Sequence, residues 1–200
     1  TRAALIDWLA TAPKGSIGTY DITRSAVGYL FLMRDQEHFA DLWPLVRAMG
    51  RAGVQVFPTS QDVIERVNAG TLLLGYNVLG SYAADQVAKL PDLGMVLPQD
   101  YVVVASRVAL VPKAAGAPDL GQEFLQFLMS RQGQTILAER LRLPAISLEV
   151  AGKDSAAAMQ EALGAKLRPV AVSPGLLAYL DAASRAQVLA KWNAALEGGE

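Results

Sequence analysis

Apolar residues recur at helical spacing over residues 3–9, and Pro13, Lys14 and Gly15 close that stretch with a loop. A short apolar run at 17–20 then reads as a strand, the polar string Asp21-Ile22-Thr23-Arg24-Ser25 as a turn, and 26–33 as a helix. The order repeats. Residues 42–50 look helical, 54–57 form a β-branched and aromatic strand, and Pro58-Thr59-Ser60 leads into a helix over 61–68 that Gly70 stops. A third round has an apolar strand at 72–74, the turn Gly75-Tyr76-Asn77 and a helix over 81–90. Strand and helix alternating three times predict an α/β fold, a mostly parallel sheet with helices on both faces.

Beyond Pro91 the character changes. Segments 95–97 and 101–111 are strand-like, the second long enough to bridge two parts of a molecule. Paired amphipathic helices are expected at 121–129 and 133–140, and periodicity predicts that the Phe124 ring is buried; its truncation to Ala would then cost about 3 to 5 kcal/mol. Residues 153–163, 175–181 and 186–196 complete a helical C-terminal tail. Its frequent alanine reflects helix propensity.

Composition narrows the possibilities. With 200 residues, 52% hydrophobic, 18% charged and a mean hydropathy of +0.25, the chain can build a core and is not disordered. A net charge of -1 and a pI near 5.9 supply no positive field for a phosphate backbone, so no nucleic acid partner is expected. No apolar run approaches the roughly 18 residues of a membrane span. Cysteine is absent and His38 is the sole histidine, which removes Cys/His zinc sites, thiol nucleophiles and disulfides. No metal and no cofactor is expected. The opening Thr1-Arg2-Ala3-Ala4 does not read as a leader, so the start of a mature protein or of a fragment is expected here.

The three polar turns concentrate the candidate chemistry. Each follows a strand and precedes a helix, the edge of an open α/β sheet where unpaired backbone N–H groups and positive helix ends meet. Thr23, Ser25, Thr59 and Ser60 are each explained singly as helix N-caps. Three such turns on one edge favour a crevice for an anion, with Arg24 offering a planar fork to phosphate or carboxylate unless Asp21 pairs with it. Tyr76 and Asn77 are candidate donors, or a packed ring and a turn former; Tyr82 is expected in the core. No Gly-x-Ser-x-Gly elbow, Ser-x-x-Lys set or phosphate-binding Gly-Lys loop occurs, and His38 reads as a solvated residue of the patch Arg34-Asp35-Gln36-Glu37 between two helices. No enzyme is expected.

Specific strings carry a family resemblance. Trp8-Leu9 with Lys14-Gly15-Ser16-Ile17-Gly18, then Asp21 and Ser25, resembles the start of the second lobe of iron(III)-type solute-binding proteins of ABC transporters. Residues 101–115 are similar to the return strand of that family, and Gln122-Glu123-Phe124-Leu125-Gln126-Phe127-Leu128-Met129-Ser130-Arg131-Gln132-Gly133-Gln134 to its helix pair. The resemblance implies a type II periplasmic binding fold, two α/β lobes closing on a solute at a hinge. It implies that 1–110 is the second lobe, 111–150 a return segment and helix pair packing towards a first lobe, and 151–200 a C-terminal helical segment. The chain would then be a C-terminal fragment.

Ferric-binding relatives carry adjacent tyrosines after the Asn of the third turn. Here Val78 and Leu79 follow Asn77, which departs from iron ligation and resembles the members that take phosphorylated sugars or other organic anions. The resemblance therefore implies a periplasmic protein that captures a small anionic solute with Thr23, Arg24, Ser25, Thr59, Ser60, Tyr76 and Asn77, and delivers it to a membrane permease. An uncovered lobe-facing surface gives the fragment a route to a homodimer. The same lobes also serve as sensing domains of two-component and other regulatory systems, the alternative that the resemblance leaves open.

Overall fold

The amide of Ala4 donates to the Thr1 hydroxyl at 3.2 Å, and this cap starts the first helix, α1 (Arg2–Leu9). The structure is a computed structural model that describes residues 1–141, 143–147, 149–152 and 155–198. It divides into two compact units: Thr1–Val103 together with the chain from Ala171 onward, and Val104–Val170.

The first unit holds a three-stranded parallel sheet in the order β2-β1-β3, built from β1 (Ile17–Tyr20), β2 (Gln55–Phe57) and β3 (Leu74–Gly75). Gly18 lies opposite Gln55 on one side and Gly75 on the other, and Tyr20 lies opposite Phe57. All four residues of β1 are buried, as a central parallel strand requires. Alternation along β1 sends Ile17 to a face covered by α3 (Leu42–Arg51), whose Leu45, Val46 and Met49 share its core cluster. Gly18 faces the opposite way, under α4 (Ser60–Asn68). A Cβ at Gly18 would stand 2.5 Å from the Leu72 side chain and 3.5 Å from Val63, so a larger residue there would have to displace Leu72. Helices on both faces of a parallel sheet make the class α/β.

The helix α2 (Ala26–His38) follows β1, and α5 (Gly80–Val87) follows β3. α3 packs against α1 and against α9 (Ala182–Leu196), which places Trp192 and Ala195 in the main core. In the second unit α6 (Pro118–Met129) packs on α7 (Arg131–Leu141). The buried Gln134 donates to Leu128 O at 2.7 Å and accepts from Ile146 N at 2.9 Å, beside a small core of Ala138, Ala145 and Val150. That unit also contains α8 (Ala156–Leu163). A separate two-stranded sheet joins β4 (Val102–Ala105) to β5 (Leu167–Val170).

Several expectations are corrected. The long strand over 101–111 shrinks to the four residues of β4, and 95–97 carries no strand, because neither segment finds a ladder to join there. The charged patch at Arg34–Glu37 is not an interhelix linker; α2 continues through it to His38. The tail is not wholly helical: β5 interrupts it, and Pro174–Leu180 is a 3₁₀ segment. The helix expected from Lys153 begins at Ala156 under a Ser155 cap, and Lys153 lies outside the described residues. Tyr82, on α5, and Phe124, on α6, are exposed rather than core, Phe124 by 58%.

Candidate functional site

Parallel strands share one carboxyl edge, so the turns after β1, β2 and β3 come together although they lie far apart in sequence. Hydrogen bonds join them. Asp21 N donates to Phe57 O at 2.7 Å, linking the first turn to the second strand, and the Thr19 hydroxyl donates to Tyr76 O at 3.1 Å, linking β1 to the third. The Ser60 hydroxyl is bonded to Tyr20 OH and also accepts Leu79 N at 2.9 Å. Burial raises the Tyr20 pKa, against the lowering pull of the Ser60 hydrogen bond. Thr23, Ser60 and Asn77 thus belong to three turns of one rim.

Most of the hydroxyls on that rim are already used. Thr23 donates both its amide and its hydroxyl to Asp21 Oδ1, at 2.9 and 2.6 Å. Ser25 caps α2 by accepting Gly28 N at 3.1 Å, and Thr59 caps α4 by accepting Asp62 N at 3.1 Å while donating to Asp62 Oδ2 at 2.6 Å. The cap explanation therefore holds for Ser25 and Thr59 but not for Thr23, which donates into its own turn, nor for Ser60, which is the first residue of α4 rather than its cap. Arg24 is the exception. It is exposed, and its guanidinium has no partner among the described residues; Asp21 holds only its backbone N–H, at 3.1 Å.

The helix starts supply further donors. The amides of Ala26 and Val27 on α2, of Ser60 and Gln61 on α4, and of Gly80 and Ser81 on α5 have no acceptor among the described residues. These are the orphan first-turn donors of each helix, and the positive ends of the helix dipoles add to them. Among the described residues, the rim therefore offers pairs of N–H groups from three helices together with the unpaired guanidinium of Arg24.

Behind the third turn lies a polar network that the sequence reading missed. Asp35, on the last turns of α2, is only 1% exposed. Its Oδ1 accepts Tyr101 OH at 2.7 Å and stands 3.3 Å from Arg2 Nη2; its Oδ2 accepts Tyr76 OH at 3.0 Å and Asn77 Nδ2 at 3.1 Å. Arg2, 4% exposed, donates through Nε to Tyr76 OH at 3.1 Å and through Nη1 to Asp100 Oδ1 at 2.7 Å and Tyr101 O at 3.0 Å. Its guanidinium also stacks 3.7 Å above the Tyr101 ring. Burial pushes the Asp35 carboxyl up, while Arg2, Tyr101 and Tyr76 pull it down. Burial and the Asp35 charge raise the Tyr76 and Tyr101 phenols well above the ordinary range.

A signal for Asp35 was present: it falls in the helical stripe Gly28, Phe31, Leu32, Asp35, where a carboxylate is out of place. Nothing in the sequence identified its partners. His38 is half-buried, with Nε2 3.1 Å from Arg34 Nη2 and its ring edge-on to Tyr101 at 5.5 Å, rather than simply solvated. Among the described residues no group of three or more His, Cys, Asp or Glu could hold a metal ion, and no helix is long and apolar enough to cross a membrane.

A rim at the carboxyl edge of a parallel sheet, rich in backbone donors, is where open α/β folds place their ligand sites. The family model for the bacterial extracellular solute-binding protein matches residues 2–164, and the chain belongs to that family. A crystal structure of the substrate binding protein of the ABC transporter from Agrobacterium tumefaciens matches with a TM-score of 0.91 at 54% sequence identity. The match covers 98% of this chain and 60% of that one, so the present chain spans well under two thirds of the relative. The family is non-enzymatic. No curated protein sequence matches the chain.

Proposed function

We propose that this chain supplies one wall of the solute site in the extracytoplasmic binding component of an ABC importer, and that its solute is a small organic anion such as a phosphorylated sugar. The observation that carries this reading is the convergence of Arg24 with unpaired amides from α2, α4 and α5 on one sheet edge. Such donors match phosphate or carboxylate oxygens without protonation or metal. Thr23, Ser25, Thr59, Ser60, Tyr76 and Asn77 then act chiefly by holding those donors in place. Free ferric ion fits poorly, because Val78 and Leu79 follow Asn77 and neither can ligate a hard cation.

In this reading the protein works in the periplasm, and residues 1–110 form the second lobe. Residues 111–150 carry the return segment and helix pair towards a first lobe, and 151–200 form the terminal segment. The exposed Leu120, Phe124, Phe127 and Met129 on α6 support a role in packing on further protein. Solute bridging the two lobes would favour the closed state, which a membrane permease then recognises.

Calorimetry on the full-length protein tests the reading with glucose 6-phosphate, citrate, ferric citrate, ferric chloride and glucose. Binding of an organic anion with no response to glucose is expected. Binding of ferric ion alone, or of neutral sugar equally well, overturns it.

A further inference from the structure

The network behind the third turn is more elaborate than packing requires. Four side-chain donors converge on the Asp35 carboxylate: Arg2 from α1, Tyr76 and Asn77 from the turn after β3, and Tyr101 from the segment before β4. Both donors on Oδ2 come from that turn, as neighbours in sequence. Asn77 is also the one non-glycine residue with a positive φ among the described residues, at 61°. Asn tolerates that conformation better than most residues but does not require it.

The turn in this conformation sends Leu79 N to the Ser60 hydroxyl and starts α5 at Gly80, whose first amides face no acceptor among the described residues. A cavity of only about 20 Å³ lies beside the carboxylate, bordered by Tyr76 and Asn77 on one side and by core residues such as Leu32 and Met49 on the other.

We infer that Asp35 is a positioning residue of the solute site: from within the core it fixes the Tyr76–Asn77 turn through both donors on Oδ2, and thereby sets where the α5 amides point. It touches no solute itself. The inference rests on the proposed function for its effect on affinity, but its effect on the turn stands apart from that reading.

The test uses full-length protein and the variants Asp35→Asn, Asn77→Ala and their combination, with Tyr76→Phe as a milder probe that removes one donor and keeps the ring. Two measurements are made: solute-free amide chemical shifts of Leu79, Gly80 and Ser81 by NMR, and affinity for glucose 6-phosphate and citrate. If Asp35 positions the turn, Asp35→Asn shifts those amide resonances while the signals of α7 stay in place, and affinity falls ten-fold or more. The double variant then loses little more than the worse single one, because both act through one contact. Purely structural destabilisation would lower the melting temperature yet leave the amides and the affinity of the folded protein unchanged, which overturns the inference.

Should Asp35→Asn fail to fold, Tyr76→Phe decides: shifted α5 amides support positioning, and unshifted ones refute it. Should the unmodified protein bind neither probe, the anionic reading fails. The amide shifts then still decide whether Asp35 holds the turn.

Discussion

The Ser60 hydroxyl accepts the backbone N–H of Leu79 at 2.9 Å, tying the first residue of α4 to the residue that precedes α5. The same oxygen is bonded to the buried Tyr20 hydroxyl, so one serine joins the ends of all three parallel strands. Ser60→Ala leaves a phenol and an amide without this partner, at a cost of about 1–3 kcal/mol for the unsatisfied buried group. For a chain of this size each kcal/mol lowers the melting temperature by about 2–4 °C, which calorimetry can read. An unchanged melting temperature would show that the bridge contributes nothing.

Arg24→Ala separates binding from folding. The side chain is exposed and unpaired among the described residues, so stability should stay within about 0.5 kcal/mol of the unmodified protein. Affinity for a phosphorylated sugar should fall by about ten-fold or more, the value of one charge-assisted hydrogen bond at about 1.5–3 kcal/mol. Equal affinity would remove Arg24 from the site.

Arg2 holds the network from its other end. Arg2→Met strips the ion-pair partner from buried Asp35 and should destabilise by about 3–5 kcal/mol in denaturant unfolding. Arg2→Lys should rescue little, because a single ammonium cannot reach Tyr76, Asp100, Tyr101 and Asp35 together as the guanidinium does. Full rescue by lysine would reduce the network to simple charge pairing.

The two carboxyls of the network respond to acid with opposite sign. Burial works against Asp100, but the amides of Arg2 and Tyr101 and the Arg2 charge prevail and hold its carboxyl below the usual range. Its stabilising contribution is therefore present above the unfolded value and lost as pH falls through the lower folded one. Asp35 is raised by burial, so its contribution is greatest below the unfolded value and is lost as pH rises through the folded one. Asp100→Asn should flatten the acid limb of a stability profile and Asp35→Asn should steepen it. The same direction of change in both variants would contradict these environments.

Gly50 marks the closest approach of α3 and α9. A Cβ there would stand 2.4 Å from Leu196 O and 2.7 Å from its Cα, backbone that cannot move without displacing the helix. Gly50→Ala should cost about 1–3 kcal/mol as overpacking and alter the near-ultraviolet signal of Trp192. Phe124→Ala, in contrast, should change the stability of this chain by no more than about 0.5 kcal/mol, since the ring is exposed.

The alternation of short apolar runs with amphipathic ones determined the parallel sheet by itself: the strand over 17–20 coincides with β1, and its four buried residues can only be a central strand. Turn chemistry was equally local. Ser25 and Thr59 sit directly before helices and do cap them, because a cap needs only a hydroxyl three residues from an amide. Strand lengths after residue 100 and the cover over Phe124 depended on partners distant in sequence, which periodicity cannot supply. The tertiary structure alone decided which rim groups remain free, since Ser60 is consumed by Tyr20 and Leu79, at separations of 40 and 19 residues. The meeting of Arg2 and Asp35 with Tyr76, Asn77, Asp100 and Tyr101 was likewise beyond the sequence: a buried charge persists only where folding brings its partners to it, and here they come from four separate segments.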